Sequence, residues 1–106
     1  MTSQPVEQAV TKPKVTLERA HRIATYRALI ALLPKRYGYA RRIAEDLTRR
    51  GKTAHSGKYY NDLAIHSIIA QGTNDKQVED ELVRLVVGYT DKPIRELLPH
   101  YRPTYQ

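Results

Sequence analysis

Cationic and tyrosine side chains are concentrated between residues 34 and 58. Eight Lys or Arg residues stand there against two acidic residues, so this quarter of the chain carries +6 of the total formal charge of +7. Arginine and lysine bind phosphate oxygens by charge-assisted hydrogen bonds, and a tyrosine hydroxyl donates to the same oxygens. The pattern favours binding of a polyanion. The cations are Lys35, Arg36, Arg41, Arg42, Arg49, Arg50, Lys52 and Lys58, and the tyrosines are Tyr37, Tyr39, Tyr59 and Tyr60.

Acidic side chains are concentrated elsewhere, since residues 75–81 carry a net charge of −3. Opposite charges in two segments indicate a cationic face rather than a uniformly basic surface. A second interpretation is that the cations only keep helix faces soluble. The tyrosines are open to both interpretations, and Tyr60 is the one that we expect in the core.

Residue types for catalysis or metal binding do not form a recognisable pattern. The four histidines are dispersed and the chain has no cysteine, so a zinc site is not expected. The five glycines stand at expected helix boundaries and do not form a phosphate-binding loop. The adjacent carboxylates Glu45-Asp46 and Asp80-Glu81 would point about 100° apart on a helix, which suits solvent better than a shared proton. We expect no enzyme, metal or cofactor.

The length of 106 residues corresponds to one domain. The apolar fraction of 41% supports one modest core, which must be built without Phe or Trp. Neither a long apolar run nor a secretory signal pattern is present, so a cytoplasmic protein without a membrane span is expected.

Apolar residues recur at three- and four-residue spacing, which predicts an all-α fold of four to five helices. Residues 1–15 are expected to form a flexible arm, residues 16–98 the helical domain and residues 99–106 an extended tail. The third helix is expected to start between Ser56 and Asn61. The first helix is expected from Thr16 to Leu33 and the second from Tyr39 to Arg50. The third is expected to end at Gly72. The fourth is expected from a cap at Asn74 to about Val87, before Gly88, and the last from Lys92 to Leu98.

Two segments share an apolar pattern with a known family. They are LPKRYGYARRIAEDL at residues 33–47 and IHSIIAQGTNDKQVEDEL at residues 65–82. Both resemble the phage-repressor-like helix-turn-helix family, the group that includes lambda repressor and Cro. Ile43, Ala44 and Leu47 match the apolar pattern of the family's second helix. Leu47 and Ile65 are separated by 17 residues, more than is usual in the family. Either the third helix reaches back to about Ser56, or residues 51–60 form an inserted loop.

The resemblance implies a transcriptional regulator that binds double-stranded DNA, with its third helix in the major groove. Asn61 would read adenine, and Lys58 would read guanine. Helix four, the last helix or the tyrosine-rich tail would supply a homodimer surface. The apolar residues of these segments are Tyr89, Leu97, Leu98, Tyr101 and Tyr105. The alternatives are a structured-RNA-binding protein and an adaptor that docks an acidic partner. The expected DNA-binding residues are Lys35, Arg36, Tyr37, Arg41, Arg42, Arg49, Lys52, Ser56, Lys58, Tyr59, Asn61 and His66.

Overall fold

The computed structural model describes residues 16–105, and the predicted N-terminal arm lies outside them. These residues form five helices and no strand, so the predicted all-α class is confirmed. A single isolated β-bridge joins Thr53 to Tyr59 in the described part. The helices are α1 (Leu17–Ile30), α2 (Tyr39–Arg49), α3 (Asp62–Gln71), α4 (Lys76–Thr90) and α5 (Ile94–Leu97).

Helix α1 begins as the sequence predicts. The Thr16 hydroxyl accepts a hydrogen bond from the Arg19 amide at 3.0 Å and caps the first turn. The regular helix ends at Ile30 and not at Leu33, because residues 31–33 continue as a turn ahead of Pro34. Its buried face includes Tyr26, whose hydroxyl donates to the Thr73 carbonyl at 3.0 Å.

Helices α2 and α3 pack on each other, and each buries one apolar stripe. In α2 the buried residues are Ala40, Ile43, Ala44 and Leu47, as their i, i+3, i+4, i+7 spacing predicts. In α3 Ile65 and Ile69 are buried.

The segment between α2 and α3 is an inserted loop, which decides between the two alternatives left open by the sequence. It folds as a short hairpin in which the Ala54 amide donates to the Lys58 carbonyl at 2.9 Å. Gly57 at its tip has φ +84°, a conformation that glycine adopts without strain. The hairpin leads into Asn61, whose side chain accepts from the Ala64 amide at 2.8 Å and caps α3. The cap of α3 is thus the last residue of the predicted range, and the helix itself begins one residue later, at Asp62.

Helix α4 departs from the prediction at both ends. Its cap is Asp75 and not Asn74, since the Asp75 carboxylate accepts from the Val78 amide at 3.1 Å. The helix also passes through Gly88 and ends at Thr90, with Asp91 in the left-handed conformation at φ 57°. Gly88 therefore does not end the helix. One helical glycine costs only about 1 kcal/mol, and Tyr89 in the following position contacts the Tyr37 ring. Helix α5 is shorter than predicted.

Helices α3 and α4 form the centre of the fold, since each contacts both α1 and α2. The core is built from aliphatic side chains and two tyrosines, as the composition requires. Tyr60 is 5% exposed and belongs to the core, which confirms the prediction for it. No helix among residues 16–105 is long and apolar enough to span a membrane.

The C-terminal segment folds back onto the domain through a buried carboxylate. Glu79 is fully buried and accepts hydrogen bonds from the Tyr101 hydroxyl at 2.7 Å and from the Thr104 amide at 3.0 Å. Arg22 of α1 donates to the Thr104 carbonyl at 3.0 Å and to the Gly72 carbonyl at 2.9 Å. We call these four side chains, Arg22, Glu79, Tyr101 and Thr104, the tail clasp.

The tail clasp changes the interpretation of the tail as a dimer surface. Tyr101, Leu97 and Leu98 pack against the domain's own core, and the Tyr105 hydroxyl donates to Asp80 at 2.9 Å. Most of the apolar area that the sequence assigned to a homodimer is therefore used within the chain. Tyr89 remains 52% exposed.

Candidate nucleic-acid interface

An open groove of about 670 Å³ lies between the loop before α2 and the middle of α3. Its walls carry six of the predicted DNA-binding residues, and Asp62 and Glu45 line it as well. Lys35 and Arg36 come from the turn at residues 34–37, which Pro34 starts, and His66 comes from α3. The six predicted residues in this groove are Lys35, Arg36, Tyr37, Arg41, Arg42 and His66.

A second groove follows the same two helices toward the C-terminal end of α2. Arg41, Glu45 and Asp62 line both grooves, and Arg49 and Asn61 line the second. The two grooves are therefore continuous through shared residues. We call the surface formed by Lys35, Arg36, Arg41, Arg42, Arg49, Asn61 and His66 the α2–α3 face.

The loop before α2 is fixed in place by Arg42. Its guanidinium lies 4.3 Å from the centre of the Tyr37 ring, and its Nε donates to the Tyr37 carbonyl at 2.9 Å. Tyr37 in turn makes an edge-to-face contact with Tyr89 of α4, at 5.5 Å between ring centres. These contacts hold Lys35 and Arg36 against the body of the domain.

The first turn of α2 has features suited to an anion. Its N-cap is Gly38 at φ 73°, and no side chain of the described residues caps the helix. Backbone amides at such a helix start, together with the positive end of the helix dipole, bind phosphate. Lys35, Arg36 and Arg41 line the groove at this end of α2.

Tyr39 connects the two helices of the α2–α3 face. Its ring contacts His66 edge to face at 5.5 Å between centres, and its hydroxyl lies 3.5 Å from His66 Nδ1. Burial raises the pKa of the Tyr39 phenol, so the hydroxyl keeps its proton at neutral pH. His66 is therefore held at the groove by a neutral hydrogen-bonding partner.

One side of α3 is exposed along its whole length. Leu63, His66, Ser67 and Ala70 lie at i, i+3, i+4 and i+7, and all four are exposed. The opposite side carries the buried Ile65. An α-helix with its side chains is about 10–12 Å wide, which matches the major groove of B-DNA at about 12 Å.

Four predicted residues line neither groove of the α2–α3 face. Lys52 lines a separate groove with Lys76 and Arg84 of α4, beyond the end of α2. Ser56, Lys58 and Tyr59 stand on the hairpin, where all three are exposed.

Some cations and polar groups of the segment have partners within the chain. Arg50 forms an ion pair with Glu81, which is 2% exposed, and Arg49 forms one with Asp46. The side-chain oxygen Oδ1 of Asn61 is the cap acceptor of α3. Since that oxygen is already bonded, the two-point contact with adenine predicted for Asn61 competes with the cap.

The acidic segment at residues 75–81 is mostly internal. Asp75, Glu79 and Glu81 are at most 9% exposed. The solvated position expected for Glu81 is therefore wrong, because it faces α2 and pairs with Arg50. Burying these carboxylates leaves the cations of the α2–α3 face opposed mainly by Glu45 and Asp62.

Asp46 of α2 and Glu81 of α4 interact beneath the end of α2. Burial and a hydrogen bond to Asp46 raise the pKa of Glu81, whereas the hydrogen bond with Glu81 lowers the pKa of Asp46. Of the two carboxyls, Glu81 therefore takes up a proton more readily. That pair fixes α2 to α4 under the cationic surface.

No protein-family model, curated protein or solved structure matches this chain. The interpretation of the α2–α3 face therefore rests on its residues and geometry.

Leu63 is a surface residue that is not among the predicted site residues. Although it is apolar, 79% of it is exposed. The signal was available, since Leu63 stands two positions before Ile65 and so lies about 200° from it around the helix.

Proposed function

We propose that this chain binds double-stranded DNA, with α3 in the major groove and the start of α2 on the phosphate backbone. The observation that carries the proposal is the α2–α3 face, where cations of α2 and its preceding turn line one groove with Asp62 and His66 of α3. In a helix-turn-helix, one helix enters the groove while the preceding helix contacts the backbone. The same arrangement suits a transcriptional regulator without enzymatic activity.

The contacts divide into two classes. Lys35, Arg36 and Arg41 supply charge at the start of α2, which sets affinity for any sequence. His66 and Ser67 stand further along the exposed side of α3, where short polar groups can bond to base edges.

Replacement of Arg36 and Arg41 together by Ala tests the proposal. Both side chains are exposed and neither supports the core, so the variant is expected to fold. Each lost charge-assisted hydrogen bond contributes on the order of 1.5 kcal/mol, so binding to random-sequence duplex DNA should weaken at least about 10-fold. Fluorescence anisotropy with a labelled duplex measures the change.

Arg102→Ala is the matched control. Arg102 is exposed and lines a cavity against α1, away from α2. Its loss removes one positive charge but no part of the α2–α3 face, so affinity should stay within about 2-fold. Equal weakening by both variants would show that net charge, not this face, determines binding.

A competition with duplex RNA separates the structured-RNA alternative. The A-form major groove is too deep and narrow for side chains to read, so α3 would not enter it. Duplex DNA should displace the labelled probe at lower concentration than duplex RNA at equal salt. Tighter RNA binding would contradict the proposal.

A further inference from the structure

Leu63 is an exposed apolar side chain on the exposed side of α3. It occupies the first turn of α3, where 79% of it is accessible, whereas Ile65 is fully buried. Its position on the far side of the helix from Ile65 means that it adds nothing to the core of the domain. Leu63 therefore lies on the exposed side of α3 together with His66, which lines the cationic groove.

The neighbours of Leu63 restrict what that ligand can be. Asp62 and His66, one residue before it and three after it, line the groove that carries Lys35, Arg36 and Arg41. A ligand that meets these cations with phosphates would therefore also pass close to Leu63, where an apolar group gains the most from contact.

Among the base edges of the major groove, thymine alone carries an apolar group, its C5-methyl. We propose that Leu63 contacts a thymine methyl and so makes thymine at one position of the bound site a determinant of specificity. The inference rests on the proposed DNA binding and extends it to the base that α3 selects. Uracil lacks this methyl, so the same contact also favours DNA over RNA.

Duplexes that differ only in this methyl test the inference. A binding site is first enriched from a random-sequence duplex library by the wild-type chain, and each thymine is then replaced singly by deoxyuridine. At one position the replacement should weaken wild-type binding by about 4-fold, which corresponds to the roughly 0.8 kcal/mol of one buried methyl group. Leu63→Ala should bind the thymine duplex about as weakly and should not distinguish thymine from deoxyuridine there.

Leu17→Ala is the matched control, because Leu17 of α1 is 90% exposed and the substitution is the same. This variant should keep the full discrimination between thymine and deoxyuridine. Circular dichroism and thermal unfolding of both variants should match the wild type, since neither leucine is part of the core.

The outcomes separate this inference from the proposed function. Wild type and Leu63→Ala could lose the same affinity on each replacement of thymine by deoxyuridine in the enriched site. That result would overturn the role of Leu63 and leave DNA binding intact. Failure to bind or enrich any duplex would remove the proposed function itself. A Leu63→Ala chain that loses a self-association seen for wild type by sedimentation would assign Leu63 to a protein contact instead.

Discussion

At the scale of single residues, the Tyr60 hydroxyl links the start of α3 to the start of α4. It donates to Asp75 Oδ2 at 2.8 Å and accepts from Gln77 Nε2 at 2.9 Å. The other Asp75 oxygen caps α4, so one carboxylate fixes both the cap and the tyrosine. The hydrogen bonds of Tyr60 therefore fix the end of the hairpin, and with it the start of α3, relative to α4.

Tyr60→Phe should lower the free energy of unfolding by about 1–3 kcal/mol, because Asp75 and Gln77 each lose a buried partner. Urea unfolding followed by circular dichroism measures this change. Tyr59→Phe is the control, since Tyr59 is 59% exposed and its change should stay within about 0.5 kcal/mol. Equal losses in the two variants would show that the hydroxyl of Tyr60 has no special role.

The Tyr60 hydroxyl should also make the free energy of unfolding depend on pH in the alkaline range. Burial, followed by the hydrogen bond to Asp75, raises the pKa of Tyr60 to about 12. The unfolded chain has a pKa of about 10, so the contribution of Tyr60 is complete below pH 10 and is lost as the pH rises through 12. The difference in unfolding free energy between wild type and Tyr60→Phe should therefore be constant up to about pH 10 and then shrink. A difference that grows above pH 10 would contradict this account.

At the scale of helices, the connection between α3 and α4 depends on a glycine pressed against α1. Gly72 has φ +65°, and a Cβ added there would lie 2.6 Å from Ile23 Cγ1 and 2.9 Å from the Arg19 carbonyl oxygen. The close approach lets α3 turn into α4 while both helices pack on α1. Its loss would displace the helix that carries Leu63 and His66.

Gly72→Ala should destabilise the fold by about 2–4 kcal/mol, from the left-handed backbone and from the overlap with α1. Gly88→Ala is the control, because Gly88 lies inside α4 with no atom within 4 Å of the added Cβ. That change should stabilise the chain by up to about 1 kcal/mol. In thermal unfolding, the midpoint temperature should fall for Gly72→Ala and rise for Gly88→Ala. An unchanged midpoint for Gly72→Ala would refute the close packing.

At the scale of the whole molecule, the tail clasp joins α1, α4 and the last residues of the described chain. Removing residues 100–106 would take away Tyr101 and Thr104 and leave Glu79 buried without those donors. A buried charge deprived of its partners costs about 3–5 kcal/mol, so the truncated chain should be largely unfolded or should unfold at much lower urea concentration. Arg102→Ala keeps the clasp and should unfold like wild type, and a truncated chain as stable as wild type would contradict the role of the clasp.

The helices could be predicted from sequence because their apolar spacing and caps are local signals, as at Thr16 and along Ile43, Ala44 and Leu47. The buried carboxylates could not, because Glu79 and Glu81 become internal only through partners far away in the chain, such as Thr104 and Arg50.

The placement of the candidate site residues could likewise be predicted only in part. The cations of the turn and of α2 were predicted from local charge and do lie together on the α2–α3 face. Lys52 was assigned to the same surface, but it lies with α4, because Gly51 at φ +73° redirects the chain after α2.

Salt dependence of binding to random duplex DNA tests the central claim most directly. If the five cations of the α2–α3 face contact phosphates, log K should fall with log salt concentration with a slope of about −3 to −5, since each contact contributes about −0.9. The Arg36 and Arg41 double variant should reduce that slope by about 2, and Arg102→Ala should leave it unchanged. Binding that is absent at low salt, or a slope that the double variant does not alter, would contradict the account.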